Sequence, residues 1–285
     1  MKKQNAGPAL KHSLGQNFIL DEGIQAELAD FTGITKEDHV LEIGAGSGML
    51  TKQLAQRCDR MIAVEVDREM IPWLKAATLS CENVEVVQGD VLRLSLSELT
   101  SSFDTFHIVA NLPYHITSQL MTKILNQPEL PIVSMHFMLQ KESALKLCAK
   151  PGEDGYGPLP IRTQWYFEPV LRKIYPPEVF TPPPKVESAF ISLYRRKDQP
   201  ALPIEDKTLF KVVTGVFAQK RKTLLNNLIA SFHLTRADTL SVLTELSLPE
   251  NTRAETMDID QLIRLAEALS RRSLYDIKAE KALYQ

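Results

Sequence analysis

The sequence predicts an α/β domain, followed by a smaller domain made only of helices. Three observations favour this fold class. Apolar strand-like runs alternate with helix-like segments through about residue 194, a glycine-rich turn joins an early strand to its helix, and only helical periodicity follows residue 203. The charged, proline-bearing stretch 195–203 is typical of a linker, so we assign 1–200 to the first domain and 201–285 to the second.

The individual helices and strands are predicted from the spacing of apolar residues and from residues that end a helix, such as glycine. Ile24, Leu28 and Phe31 recur at helical spacing and Gly33 ends that helix, whereas near-continuous apolar runs such as 132–139 are typical of buried parallel strands. The same reasoning predicts further strands at 39–43, 60–65, 84–88, 106–110, 170–175 and 186–194, and helices at 49–58, 115–125, 141–150, 209–217, 223–232, 236–246 and 259–269.

Length and composition narrow the class of protein. The 285 residues suffice for a well-buried α/β core and a smaller second domain. The three cysteines, Cys58, Cys81 and Cys148, lie far apart without a C-x-x-C pair, so the sequence indicates neither a disulfide framework nor a metal site. No apolar run approaches the roughly 18 residues of a membrane-spanning helix. We therefore expect a cytoplasmic protein that does not enter a membrane.

The glycine-rich loop 44–48 follows the predicted strand 39–43 and indicates a nucleotide-like ligand. Its pattern is G-x-G-x-G, and Met49 stands where the dinucleotide fingerprint needs a third glycine. Glu65 ends the next strand, where a carboxylate can hold two ribose hydroxyls, and Asp90 follows the third strand, where it can accept from an adenine amine. The alternative is that both acids are merely polar residues where strands meet solvent.

The tetrapeptide 111–114 closes the apolar run 106–110, at a strand end where ligands bind in open α/β sheets. Asn111 offers a side-chain carbonyl, Pro113 holds the preceding Leu112 carbonyl in an extended geometry, and Tyr114 offers a flat ring. Two acceptors and a stacking face suit the exocyclic amine of a planar base. The alternative is an ordinary strand-to-helix turn, because Asn and Pro are common turn residues.

The segment 180–185 carries Phe180 ahead of three consecutive prolines, a stiff arrangement that can present an aromatic ring rigidly. Phe180 is therefore a candidate for the second stacking face of a flipped base. The alternative is a loop anchor packed against the protein.

Several motifs together identify a family. They are Gly15-Gln16-Asn17-Phe18, residues 42–48, Val64-Glu65-Val66-Asp67, Gly89-Asp90-Val91, residues 111–114, 180–188 and 219–227, and Arg253-Ala254-Glu255. With these motifs the chain resembles the ribosomal RNA adenine dimethyltransferases, the KsgA family, along nearly its whole length. It departs from the family's usual pattern at Ile19, usually Leu, at 45–47, where Pro-Gly-Leu is common, and at Leu225, usually Arg.

The resemblance implies a seven-stranded, Rossmann-like methyltransferase domain that uses S-adenosylmethionine and a small all-helical domain that binds RNA. It also implies N6,N6-dimethylation of two adjacent adenosines near the 3' end of small-subunit (16S) ribosomal RNA, within a pre-30S particle, by a monomer. By motif, the implied cofactor contacts are Asn17, Ile19, Gly44, Glu65, Asp90 and Asn111. Direct in-line methyl transfer needs no general base, because the amine becomes acidic once it is methylated.

The charge distribution indicates where RNA approaches. Segment 21–104 holds sixteen acidic and seven basic residues, a net charge of −9, so the rest of the chain carries +7 against the overall −2. Within that remainder, Lys220, Arg221 and Lys222 are the candidate phosphate contacts. The alternative for this basic run is a solvated surface patch.

Two other functions remain open on sequence alone. One is a related enzyme acting on large-subunit ribosomal RNA, in which the same pocket confers drug resistance; the long helical tail with 219–227 argues against it. The other is a ribosome-assembly factor whose main task is binding.

Overall fold

A computed structural model describes residues 17–113, 116–199, 202 and 204–272. Tyr114, Gly15 and Gln16, which carry predictions, lie outside the described residues. Contacts divide the described residues into two compact units: the first takes in those up to 148 and 163–197, and the second takes in 149–162 and those from 198 to 272. The second unit is thus discontinuous, whereas our sequence-based division at residue 200 was linear.

The first part of the chain alternates strands and helices as predicted. In order these are β1 (Phe18–Ile19), α1 (Glu22–Thr32), β2 (His39–Ile43), α2 (Met49–Ala55), β3 (Arg60–Glu65), α3 (Ile71–Ala77), β4 (Val84–Gln88), α4 (Leu96–Leu99), β5 (Phe106–Asn111), α5 (Thr117–Leu125), β6 (Ile132–Gln140), α6 (Lys141–Cys148), α7 (Pro158–Tyr166), β7 (Phe167–Tyr175), β8 (Phe180–Thr181) and β9 (Ser188–Arg195).

Seven of these strands form one sheet in the order β4-β3-β2-β5-β6-β9-β7, which confirms the predicted seven-stranded, Rossmann-like fold class. Strands β2 to β6 are mutually parallel, β9 runs antiparallel to β6, and β7 runs antiparallel to β9. The central parallel strands are buried because helices cover such sheets, and Leu41, Val109 and Phe137 are fully buried, whereas the edge strand β4 is only partly buried. Their carboxyl ends meet at one edge, where the loops after β2, β3, β4 and β5 come together.

A short second sheet pairs β1 with β8 in antiparallel register, with Ile19 opposite Phe180. The sequence did not predict it, because each strand has only two residues and the pairing partners lie far apart in the chain.

Helices α3, α4 and α7 were also missed, α4 because it has only four residues. Proline in the first turn hid the other two: Pro72 lies in the first turn of α3, and α7 starts at Pro158, in a stretch for which no strand or helix was predicted. Proline is tolerated in a first helical turn because the amide it lacks has no partner there. Strand β7 begins at Phe167, three residues before the predicted start.

A chain of hydrogen-bonded side chains crosses the seven-stranded sheet. Arg172 Nε donates to Ser192 Oγ at 3.1 Å, and Ser192 Oγ lies 2.9 Å from His136 Nδ1. Ser134 Oγ lies 2.6 Å from His136 Nε2 and 2.7 Å from His107 Nδ1. The chain ends where His107 Nε2 lies 3.3 Å from Asp38 Oδ1. Because a carboxylate can only accept, His107 donates from Nε2 and accepts at Nδ1. The donors then point consistently from the guanidinium to the carboxylate, with both histidines neutral.

The second unit is helical, as predicted. Besides the start of α7, its helices are α8 (Asp206–Val216), α9 (Leu224–Phe232), α10 (Arg236–Glu245) and α11 (Ile259–Arg271). The helix starts have polar caps: Thr223 and Thr235 accept from backbone amides of α9 and α10, and Asp258 forms a capping box on α11. Among the residues described, no helix combines the length and apolarity needed to cross a membrane.

Candidate active site

A cavity of about 370 Å³ lies at the carboxyl edge of the parallel strands. All six residues implied as cofactor contacts line it, namely Asn17, Ile19, Gly44, Glu65, Asp90 and Asn111. Leu112 and Pro113 of the tetrapeptide line it too. The structure therefore brings these predicted site residues together; their contact with a ligand stays a prediction.

The glycine loop needs its glycines for conformation and for space. Gly44 and Gly46 have φ of +75° and +56°, which L side chains rarely adopt. A Cβ on Gly46 would also lie 2.7 Å from the Phe18 ring. Backbone amides of Gly44 and Ala45 donate to the Val64 carbonyl at 2.9 and 3.2 Å, which holds the loop against β3. The loop backbone is thus fixed along the cavity wall.

Glu65 ends β3 with its carboxylate buried against this loop. Its Oε2 accepts from the Gly46 amide at 2.7 Å and its Oε1 from the Asp67 amide at 2.8 Å. Burial raises the pKa of Glu65, and these two backbone amides oppose the shift. A carboxylate has about four acceptor positions, so capacity remains for two ligand hydroxyls.

Asp90 begins a tight turn after β4. Its Oδ1 accepts from the Leu92 amide at 3.0 Å, and its main-chain carbonyl accepts from the amides of Arg93 at 2.8 Å and Leu94 at 3.0 Å. The carboxylate is therefore held by its own turn at the cavity wall.

Asn111 ends β5, and its Nδ2 donates to the main-chain carbonyl of Asn17 at 3.2 Å. Leu112 is buried, and its amide lies 3.4 Å from the Met138 carbonyl. The Pro113 carbonyl accepts from the Ile116 amide at 3.1 Å, which turns the chain into α5. Asn111 and Pro113 thus face the cavity from a braced segment.

Glu42 is a cavity residue to which the sequence argument gave no role. It is 2% exposed, and its Oε2 has no hydrogen-bond partner among the described residues. Burial raises the pKa of Glu42 to about 8, and the nearby charge of Glu65 adds to the shift. The sequence feature that could have pointed to Glu42 is an acidic residue in an otherwise largely apolar strand.

The acceptors around the cavity test whether a nucleoside sulfonium cofactor fits. Glu65 and Asp90 offer carboxylates, and Glu42 offers a carboxyl group, to a ligand that carries ribose hydroxyls, an adenine amine and an ammonium group. The orphaned oxygen of Glu42 is the kind of buried acceptor that such a ligand satisfies. These residues fit the implied cofactor.

Phe180 does not line the cavity. It is 3% exposed and packs in a hydrophobic cluster with Ile19, Tyr175 and Phe190. In this structure Phe180 has the packed position that the alternative interpretation described. Stacking on a base would require its ring to leave that cluster, so the stacking role stays a prediction.

The basic run lies on an exposed turn of the second unit between α8 and α9, with all three side chains exposed. Asn227, 1% exposed, holds this turn: its Oδ1 accepts from the Gln219 amide at 3.0 Å and its Nδ2 donates to the Gln219 carbonyl at 3.2 Å. Arg253 Nη2 donates to the Lys220 carbonyl at 2.9 Å. Leu225, where the family usually has Arg, is 3% exposed and belongs to the helical core.

A family model and a sequence relative agree on one family. The model of the family described as ribosomal RNA adenine dimethylase matches residues 8–271. A Listeria welshimeri protein named ribosomal RNA small subunit methyltransferase A is 39% identical over 272 residues, 93% of this chain and 92% of that one. The crystal structure of a Plasmodium falciparum dimethyladenosine transferase shares the fold with a TM-score of 0.77 at 24% identity, covering 90% of this chain and 98% of that one.

The crystal structure of the 23S rRNA methyltransferase ErmE has a TM-score of 0.68 at 26% identity and covers 89% of this chain and 100% of its own. This likeness is weaker in identity than the likeness to the Listeria protein.

Proposed function

This chain belongs to the ribosomal RNA adenine dimethylase family, and on that premise we propose that it dimethylates the N6 amines of two adjacent adenosines near the 3' end of small-subunit ribosomal RNA. The methyl donor is S-adenosylmethionine. The observation that carries the proposal is a single cavity whose wall joins a glycine loop, strand-end carboxylates and Asn111. A nucleoside cofactor and the amine of a base both need acceptors, and this wall supplies them together.

The carboxylates and the loop are assigned to the cofactor. Glu65 accepts from ribose hydroxyls and Asp90 from the adenine amine, while the loop 44–48 lets the backbone come close. When bound, S-adenosylmethionine supplies an electrophilic methyl group together with its own leaving group. The protein's share is therefore orientation and exclusion of water.

Asn111 and the Leu112 carbonyl are assigned to the substrate amine. The lone pair of an aromatic amine is delocalised into the ring, which makes the nitrogen a poor nucleophile. Two acceptors that take its hydrogens favour a pyramidal nitrogen whose lone pair is available for attack. Tyr114, which lies outside the described residues, is assigned the stacking face, as the sequence predicted. After transfer the nitrogen loses a proton to water, and the second methylation repeats the step on the same nitrogen.

The second unit is assigned to RNA. Its exposed basic turn offers Lys220, Arg221 and Lys222 to phosphates, which position a substrate without reading its sequence. We place the protein in the cytoplasm as a monomer, with the pre-30S particle as its partner.

One experiment separates this function from its alternatives. Labelled S-adenosylmethionine is supplied with unmethylated small and large ribosomal subunits in separate reactions, and the labelled nucleotide is mapped. We expect two adjacent dimethyladenosines in the small subunit. Label confined to the large subunit would favour the resistance-type enzyme, and tight binding to the small subunit without label would favour an assembly factor.

A further inference from the structure

Lys123 joins the turn after β4 to helix α5. Its Nζ donates to the main-chain carbonyls of Val91 at 2.9 Å and Leu92 at 3.0 Å, and also to that of Leu94. The three acceptors belong to one turn, whereas the lysine lies on the helix. An ammonium group has three protons, so this turn engages all of them.

The turn that Lys123 holds is part of the cavity wall. Asp90 begins it, and Asp90, Val91 and Leu92 all line the cavity. Since the Asp90 carboxylate and carbonyl are bonded to amides of the same turn, the position of the turn sets the position of the carboxylate.

The beginning of helix α5 also contributes to the cavity wall. It continues the tetrapeptide, and Ile116 and Gln119, at its beginning, line the same cavity as Asn111. The three bonds of Lys123 therefore connect the wall assigned to the cofactor with the segment assigned to the substrate amine.

The surroundings of Lys123 favour a bridging role over a phosphate contact. The lysine is half-buried, although a long cationic side chain ordinarily extends its head into water. Burial lowers the pKa of Lys123, and the charge of Asp90 opposes the shift. Carbonyl oxygens that converge on one point are stabilised by a cation, which is how cations stabilise helix C-termini. The Lys123 ammonium therefore binds main-chain carbonyls within the protein.

We propose, on the basis of the function proposed above, that Lys123 is a positioning residue for methyl transfer. By holding the turn 91–94 on α5, it fixes Asp90 relative to the segment 111–113. It acts through that turn and touches neither the cofactor nor the base.

The test compares Lys123→Met, which keeps the length and loses the three donors, with Lys146→Met. Lys146 is an exposed helical lysine paired with Glu142 on its own helix at 2.5 Å, so its loss removes an ammonium without touching the turn. Hydrogen exchange is measured on the protein without ligand, and the Kd of S-adenosylhomocysteine is measured by calorimetry. We expect faster exchange in 91–94 and a Kd raised about tenfold in Lys123→Met, the effect of losing one charged hydrogen bond. Lys146→Met should match the wild type.

Unchanged exchange and unchanged Kd in Lys123→Met would overturn the inference. If that variant does not fold, Lys123→Gln decides, because it keeps two donors but no charge: we expect an intermediate Kd, and a wild-type Kd with wild-type exchange overturns the role. Failure of the wild type to bind S-adenosylhomocysteine would instead contradict the proposed function.

Discussion

The side chain of Asn111 donates from Nδ2 to the main-chain carbonyl of Asn17 at 3.2 Å, and both residues line the cavity. Because a carbonyl can only accept, the nitrogen of the amide must face Asn17, and Oδ1 is turned the other way. The orientation of the acceptor that we assign to the substrate amine is therefore set by a residue that precedes the whole parallel sheet.

Asn111→Ala should lower the turnover rate by about a hundredfold or more, because one oriented acceptor is lost, while folding and RNA affinity are retained. Asn111→Asp keeps two acceptors but loses the donor to Asn17, so we expect it to be nearly as slow. Single-turnover methylation of unmethylated small subunits measures both. A wild-type rate in Asn111→Asp would show that the contact with Asn17 does not matter, and a wild-type rate in Asn111→Ala would remove the amine-positioning model.

Much of this site could be predicted because it depends on strand ends. Glu65 and Asn111 end their strands and Asp90 follows one, and parallel strands bring such ends to one edge of the sheet. The role of Lys123 could not be predicted, because its acceptors are main-chain carbonyls that no side-chain pattern marks. Phe180 was difficult for a related reason: the sequence shows an aromatic on a stiff segment, but its burial depends on pairing with Ile19 across the chain.

Glu42→Gln should stabilise the ligand-free protein, and increasingly so as pH rises. The pKa of Glu42 is raised from its ordinary 4.5 to about 8, so between these values the folded protein holds a proton that the unfolded chain does not. The free energy of unfolding therefore falls as pH rises through this window, by an amount on the order of a few kcal/mol, and glutamine removes that fall. Urea titrations at about pH 5 and pH 8 measure it. Glu37→Gln, at an exposed glutamate, is the control. An equal gain in the free energy of unfolding at both pH values would contradict the raised pKa of Glu42.

His136 should make the protein less stable in acid, a pH dependence opposite in sign to that of Glu42. Burial lowers its pKa from 6.5 to about 3, and the nearby His107 and Arg172 add to the shift. Between these values the unfolded chain binds a proton that the folded one does not, so the free energy of unfolding falls as pH decreases, by up to about 1.4 kcal/mol per pH unit. His136→Gln should be less stable at pH 7 but lose less between about pH 6 and pH 4. Parallel curves for the two proteins would show that His136 does not set this slope.

Asn227→Ala should disturb the basic turn without changing its charge. It removes the buried amide that pairs with both backbone groups of Gln219, so we expect a loss of about 1 to 3 kcal/mol in the free energy of unfolding. RNA affinity should fall too, since the turn no longer holds its cations in place. Asn226→Ala, at the exposed neighbour on the same helix, is the matched control for binding and stability. Equal RNA affinity in both variants would show that the shape of the turn is not used in binding.

Neutralising the basic run tests how RNA is held. The triple variant Lys220→Gln, Arg221→Gln and Lys222→Gln removes three exposed charges from a turn whose shape depends on main-chain contacts, so the fold should be retained. If each residue contacts a phosphate, binding weakens, and the salt dependence of the affinity flattens by roughly 0.7 to 0.9 units of slope per lost contact.

The target adenosines should stay the same, because phosphate contacts do not read sequence. Affinity for S-adenosylhomocysteine should also be unchanged, since the cavity is built within the other unit. Lys52→Gln with Lys75→Gln is the control: both lysines are exposed within the acidic segment 21–104, where RNA is not expected, so the salt slope should not change. If the triple variant keeps both its affinity and its slope, the run is a solvated surface patch, and RNA recognition must be sought in Lys2, Lys3 and Lys11.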